Sequence, residues 1–217
     1  IPVRWLDEVF DVALVSKDYF YVTQEYSTDN KLLRLLQTYS RIGTGQVLMF
    51  RRGDVQLAAS GFSFANGLSL DRNKNELYVA EMLGKKVHRF KIDESKDNRS
   101  NLSLIQSWSL LSAPDNLYFD ARSSELWVVT HPNLFRLKDH SEAPSHSSSP
   151  FEVQVFEPHK MGEDKVMIGL ADMTARYTHD GATYSGASVA LPLGGGILLG
   201  QIYGKGLIYC HEKHSSD

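Results

Sequence analysis

The chain has 217 residues, 42% of them hydrophobic and 23% charged, which suits one soluble domain with a sizeable core. A formal charge of -3 excludes a global basic field, so nucleic acid is not an expected partner. The longest weakly charged stretch, residues 181–203, is broken by Pro192 and by Gly194, Gly195 and Gly196, so it cannot be a membrane-spanning helix.

The opening Ile1-Pro2-Val3-Arg4 has neither an initiator Met nor a charged-then-apolar leader pattern, as expected of a mature or truncated product. Residues 11–26 alternate short apolar and aromatic runs with polar residues, which predicts two strands joined at Ser16-Lys17-Asp18. Residues 28–39 set Leu32, Leu33, Leu35 and Leu36 among basic residues. That spacing predicts a short amphipathic helix, packed on the nearest sheet or lying on a lipid or membrane surface. Residues 45–51 and 54–59 read as a hairpin turning at Arg52-Gly53-Asp54, where the glycine supplies a positive φ.

Residues 61–92 read as three short strands separated by polar turns, and a similar unit recurs over residues 112–138. Sliding one on the other pairs Asp71 with Asp120, Leu77 with Leu126 and Tyr78 with Trp127, each pair 49 residues apart. A fixed offset of that size predicts an all-β fold, a β-propeller, in which the units are blades. Each unit places amide or carboxylate side chains at the start of its first strand, Asn66 in one and Asp115 with Asn116 in the other. In a propeller that end of the innermost strand faces the central channel, so these residues can converge. Taken alone they could equally be turn residues bonded to their own backbone.

The polar loop between the units, residues 93–103, holds two N-glycosylation patterns, Asn98-Arg99-Ser100 and Asn101-Leu102-Ser103, which favour an extracellular setting. Residues 139–150 are rich in Ser, His and Pro and read as an exposed, mobile loop, with His140 and His146 not assigned to a metal. Residues 151–156 alternate as a strand, residues 161–171 could extend the same blade, and residues 184–210 contain three further strand-like runs. Counting units gives about four blades, treated as a single partial domain over residues 1–217. The one cysteine, Cys210, reads either as a small buried core residue or as half of a disulfide whose partner is absent.

Phe64-Ala65-Asn66-Gly67, Tyr78-Val79-Ala80-Glu81 with Val87-His88, Asp115-Asn116, Leu126-Trp127-Val128, His131-Pro132-Asn133 and Leu207-Ile208-Tyr209-Cys210 together resemble the serum paraoxonase/arylesterase family. The likeness runs from about Val9 to Cys210 and starts partway into the family's sequence, so roughly its first two blades have no counterpart. The resemblance implies a six-bladed propeller with two calcium ions in its tunnel, secreted, hydrolysing small aryl esters and lactones. It implies Asn66, Asp115 and Asn116 as ligands of the catalytic calcium, Asp11 as a ligand of the second, and His131 in a supporting catalytic role. It also implies that Cys210 matches the C-terminal half of the family's disulfide, and it places Asn101 near a family glycosylation site.

Two departures matter. Phe10 stands where the family has an Asn ligand, and phenylalanine offers no side-chain oxygen. The acidic ligands that the family draws from its N-terminal part have no counterpart either. These departures favour an alternative, a non-catalytic propeller acting as a binding module. A gluconolactonase-like propeller would need an acidic ligand near the chain start, where Glu8 is the candidate.

Overall fold

A computed structural model describes residues 9–24, 43–93 and 102–211. The helix expected over residues 28–39, the candidate Glu8 and the acceptors Asn98 and Asn101 lie outside the described residues.

The described strands form four antiparallel sheets, the blades of a β-propeller. Blade I contains β1 (Val9–Ser16), β2 (Tyr19–Gln24), β3 (Gly45–Arg51) and β4 (Asp54–Phe62). Blade II contains β5 (Ala65–Asp71), β6 (Glu76–Glu81), β7 (Lys86–Ile92) and β8 (Leu102–Ser109). Blade III contains β9 (Ala113–Asp120), β10 (Glu125–His131), β11 (Phe151–Phe156) and β12 (Met173–His179). Blade IV has three strands, β13 (Ala187–Leu193), β14 (Gly196–Gln201) and β15 (Ile208–His211). The innermost strands meet in chain order, β1 with β5, β5 with β9 and β9 with β13.

The expected repeat is visible in the backbone. Asp71 and Asp120 each end an innermost strand, and each carboxylate accepts amides of the following turn, those of Asn73 and Lys74 in one blade and of Arg122 in the other. Each turn then takes a positive φ at the equivalent position, 52° at Asn75 and 61° at Ser124. The β3–β4 hairpin turns through Arg52 and Gly53 at φ 51° and 90°, the paired left-handed geometry that matches strand twist.

Alternation then divides each blade's side chains between two interfaces. Ala13, Tyr21 and Val47 of blade I pack on Leu68, Leu77 and Val79 of blade II. From the opposite face of blade II, Tyr78 stacks on Phe119 at 5.5 Å, and Trp108 meets Phe156 edge-on at 5.8 Å. Such aromatic pairs add about 0.5–1.5 kcal/mol each beyond the area they bury, so they hold the angle between blades II and III. Trp127 and Val153 continue the core into blade IV through Ala187, Ile197 and Leu199. On its other side β1 leaves Phe10, Val12 and Leu14 about half exposed, at 46%, 54% and 52%.

Four local expectations are corrected. Residues 139–150 are not a loop throughout, because a helix, α1 (Leu134–Glu142), runs into them. The Asn133 side chain caps it by accepting the Arg136 amide at 3.1 Å, and His140 is buried on it. The fourth strand of blade III is β12, whereas residues 161–171 contribute only a parallel bridge from Met167 to Ser109 and the start of a 3-10 turn (Leu170–Asp172). β8 begins inside the loop expected over residues 93–103 and was not expected as a strand. Cys210 is exposed on β15 with a free thiol, so it is not a buried core residue, and this chain holds no second cysteine to pair with it.

Candidate metal and ester site

The innermost strands of blades I to III begin at one end of the propeller, and this brings the sequence-derived residues together. Asp11 lies on β1, Asn66 near the start of β5, and Asp115 and Asn116 near the start of β9. Contact between β5 and β9 is close. A Cβ built on Gly67 would lie 2.5 Å from Asn116 Cα, 2.5 Å from Asp115 O and 2.8 Å from Leu117 N, all backbone atoms. Asp11 is tied in from β1, since its Oδ2 accepts the Leu68 amide at 2.7 Å and its Oδ1 the Val12 amide at 2.7 Å. Thr23, which no sequence motif marks, joins the same strands: its Oγ1 accepts the Asp11 amide at 3.1 Å and donates to the Asn66 carbonyl at 2.6 Å.

Each of the two amides is anchored through its nitrogen. Asn66 Nδ2 donates to Met82 Sδ at 3.6 Å, and Asn116 Nδ2 donates to the Ser188 carbonyl at 3.0 Å. With each NH₂ engaged, each Oδ1 is turned to the other side of its group. The electrostatics point the same way. Burial pushes the Asp11 carboxyl above its ordinary 3.8, the Leu68 and Val12 amides pull it down, and the nearby Asp115 raises it further. Among the described residues no Lys or Arg pairs with either carboxylate, and Asp115 is met by His131, whose Nε2 lies 3.1 Å from Asp115 Oδ2. Oxygen donors in a partly desolvated, net acidic setting fit a hard divalent cation such as calcium, which takes six to eight oxygens. Phe10 adds none: its ring packs edge-on against Phe64 at 5.5 Å.

The connection leading to Asn66 is strained and firmly held. Phe64 has φ 68°, a left-handed conformation that costs a non-glycine residue roughly 1–2 kcal/mol. Backbone bonds from Met82 to the Phe64 carbonyl at 2.9 Å and from Leu83 to the Ser63 carbonyl at 3.1 Å hold it in place. Glu81 Oε1 accepts the Ser63 amide at 2.9 Å. Glu81 was legible only as part of a motif, without a role.

A second cluster, Asp71, Glu76 and His159, brings three ligand-type atoms within 4.8 Å of one another. Its bonding is already complete. Arg89 forks onto Glu76 at 2.8 and 2.9 Å and also meets His159 Nδ1 at 2.8 Å, while His159 Nε2 bonds Asp71 at 2.9 Å. Asp71 lies at the opposite end of β5 from Asn66, and His159 comes from the 3-10 turn (Pro158–Lys160) after β11. The cluster is a polar clamp between blades II and III, with a guanidinium where a cation would sit.

Comparison with known proteins gives the family. The arylesterase family model matches residues 3–212. Human serum paraoxonase/arylesterase 2 is 27% identical over 205 residues, covering 94% of this chain and 54% of that protein. Rabbit serum paraoxonase/lactonase 3 is 28% identical over the same shares, and human serum paraoxonase/arylesterase 1 is 24% identical over 95% of this chain and 54% of its own length. The chain thus spans about half the length of these relatives. Among solved structures, a luciferin-regenerating enzyme superposes with a TM-score of 0.54 at 11% identity, over 88% of this chain and 52% of that one, which is a likeness of fold. On the family match and the relatives together, the chain belongs to the arylesterase family.

Proposed function

We propose that the chain forms part of a secreted, calcium-dependent hydrolase of small aryl esters and lactones. The observation that carries this reading is the apposition of Asn66-Gly67 with Asp115-Asn116 at the channel end of two blades, both amide oxygens turned away from their bonded NH₂ groups. The relatives' names, which include arylesterase and lactonase and are prefixed serum, support the substrate class and the extracellular setting. Asn66, Asp115 and Asn116 would hold one calcium ion and Asp11 a second. Bound calcium supplies a positive charge that polarises an ester carbonyl and stabilises the developing oxyanion. This chain's own groups position that charge. His131 is 1% exposed and its Nδ1 is enclosed without a hydrogen-bond partner among the described residues, so its part is to orient Asp115 rather than to meet the substrate.

Phe10 favours a second reading, a propeller that binds a ligand without turning it over. Its ring brings no oxygen beside Asp11. The test is hydrolysis of an aryl ester and of a lactone by the purified chain, with calcium and then with excess chelator, alongside calcium titration. Chelator-sensitive turnover is expected. Calcium binding without turnover would favour the second reading, and no calcium binding would overturn the ligand assignment.

A further inference from the structure

Blade II contains a largely buried polar array that the proposed site does not use directly. His88 on β7 bonds Glu81 on β6 through Nε2 at 2.7 Å and Ser107 on β8 through Nδ1 at 2.7 Å. Strand register accounts for the array, since His88 pairs with Val79 on one side and with Ser107 on the other. Burial pushes the Glu81 carboxyl up, but the bonds from His88 and the Ser63 amide outweigh it and hold the group below its ordinary 4.5. The carboxylate is therefore ionised at neutral pH and accepts a hydrogen bond from Nε2, while Nδ1 and the Ser107 hydroxyl bond each other.

The array ends on the segment that carries Asn66. Glu81 Oε1 accepts the Ser63 amide at 2.9 Å, and the His88 ring stands edge-on to Phe62 at 5.3 Å. The last residue of β4 and the first of the β4–β5 connection are thus gripped just before Phe64, whose φ of 68° needs such support. Space is tight around the carboxylate: a Cβ on Gly84 would fall 2.4 Å from Glu81 Oε1. Met82, next to Glu81, bonds both the Phe64 carbonyl and the Asn66 amide group. Orientation of Asn66 therefore depends on where residues 81–83 lie, and His88 with Ser107 sets where Glu81 lies.

We propose that Glu81 and His88, braced by Ser107, are positioning residues that aim the Asn66 amide oxygen into the channel. The proposal rests on the reading of Asn66 as a cation ligand, and two measurements keep the two ideas separable. The first is the NMR position of the Asn66 side-chain amide in the calcium-free chain, for wild type, Glu81→Gln, His88→Gln and Ser107→Ala. The second is calcium affinity by titration calorimetry for the same set. His159→Gln, which loosens the clamp at the other end of blade II, is the control for general destabilisation. Glu81→Gln and His88→Gln are expected to shift the Asn66 amide signals and to weaken calcium binding about tenfold, as removal of outer-shell support does. Ser107→Ala should do the same to a smaller extent, and His159→Gln should do neither. Unmoved Asn66 signals in Glu81→Gln, or an equal shift in His159→Gln, would overturn the proposal. If the wild-type chain binds no calcium, the ligand reading fails, and the Asn66 signals in the calcium-free chain still decide whether these residues position it.

Discussion

His131 Nε2 lies 3.1 Å from Asp115 Oδ2, with the two residues only 1% and 4% exposed. The histidine is therefore the hydrogen-bond donor that makes a buried carboxylate tolerable. His131→Leu should lower stability by about 1–3 kcal/mol, because Asp115 loses that donor. Calcium affinity should fall roughly 10- to 100-fold while turnover at saturating calcium changes less. Urea denaturation and calcium titration read the two effects. A ~100-fold loss of kcat at saturating calcium would instead indicate direct acid–base work by the ring.

Gly67 has no side chain because the backbone of Asp115, Asn116 and Leu117 fills the space. Gly67→Ala must push β5 and β9 apart, since a strand backbone cannot rotate away as a side chain can. The expected cost is about 1–3 kcal/mol, seen as a Tm lower by roughly 2–10 °C. Calcium affinity should fall with it, because the same contact sets the distance between Asn66 and Asn116.

Asp11 ties stability to pH and, on the proposed ligand reading, to calcium. Its folded-state carboxyl lies above the ordinary 3.8, pushed up first by burial and also by Asp115. Folding thus favours the protonated form. The resulting stabilisation is complete below the unfolded value and is lost as pH rises through the folded one. At neutral pH the calcium-free chain therefore carries an unfavourable charge that calcium, bound as proposed, would offset. Calcium at 100 times its Kd should add ~2.7 kcal/mol at pH 7, and the gain should shrink as pH falls through the titration of Asp11. Thermal melts with calcium and with chelator at pH 7 and pH 3.5 check this; an equal gain at both would refute it.

Phe10→Asn would place an amide oxygen beside Asp11. It would give up the edge contact with Phe64 at 5.5 Å, an aromatic pair of about 0.5–1.5 kcal/mol. The expected outcome is slightly lower stability without calcium and about tenfold tighter calcium binding, equivalent to ~1.4 kcal/mol. Titration of both chains measures it directly.

Arg89 holds Glu76 with two bonds of 2.8 and 2.9 Å, the two side chains being only 14% and 5% exposed respectively. Arg89→Ala leaves that carboxylate buried without its guanidinium and should cost about 3–5 kcal/mol. Denaturant melts should show the loss, with calcium affinity of the surviving folded fraction little changed because the clamp lies at the far end of β5 from Asn66.

The repeat was legible because turn chemistry repeats with it: Asp71 and Asp120, then Asn75 and Ser124, occupy the same places in successive blades. Asn66 and Asp115 were legible for the same reason. The helix α1 was not, because Leu134–Glu142 adjoins a Ser, His and Pro-rich stretch that masks it, although Asn133 three residues before Arg136 is a capping signal. β8 was hidden because, as an outer strand, it buries only Trp108 and lacks a clean apolar alternation.

Taken by itself, the sequence determined most of the strands, though not β8 or β12, together with their turns and the repeat, since alternation with a period of two and the demands of tight turns are local properties. Only the tertiary structure decided which polar groups meet. Asp71 and His159 are 88 residues apart, and Asp11 reaches Leu68 across 57. Those meetings depend on the angle between blades, which the packing of pairs such as Tyr78 with Phe119 and Trp108 with Phe156 sets, and no short stretch of sequence encodes that angle.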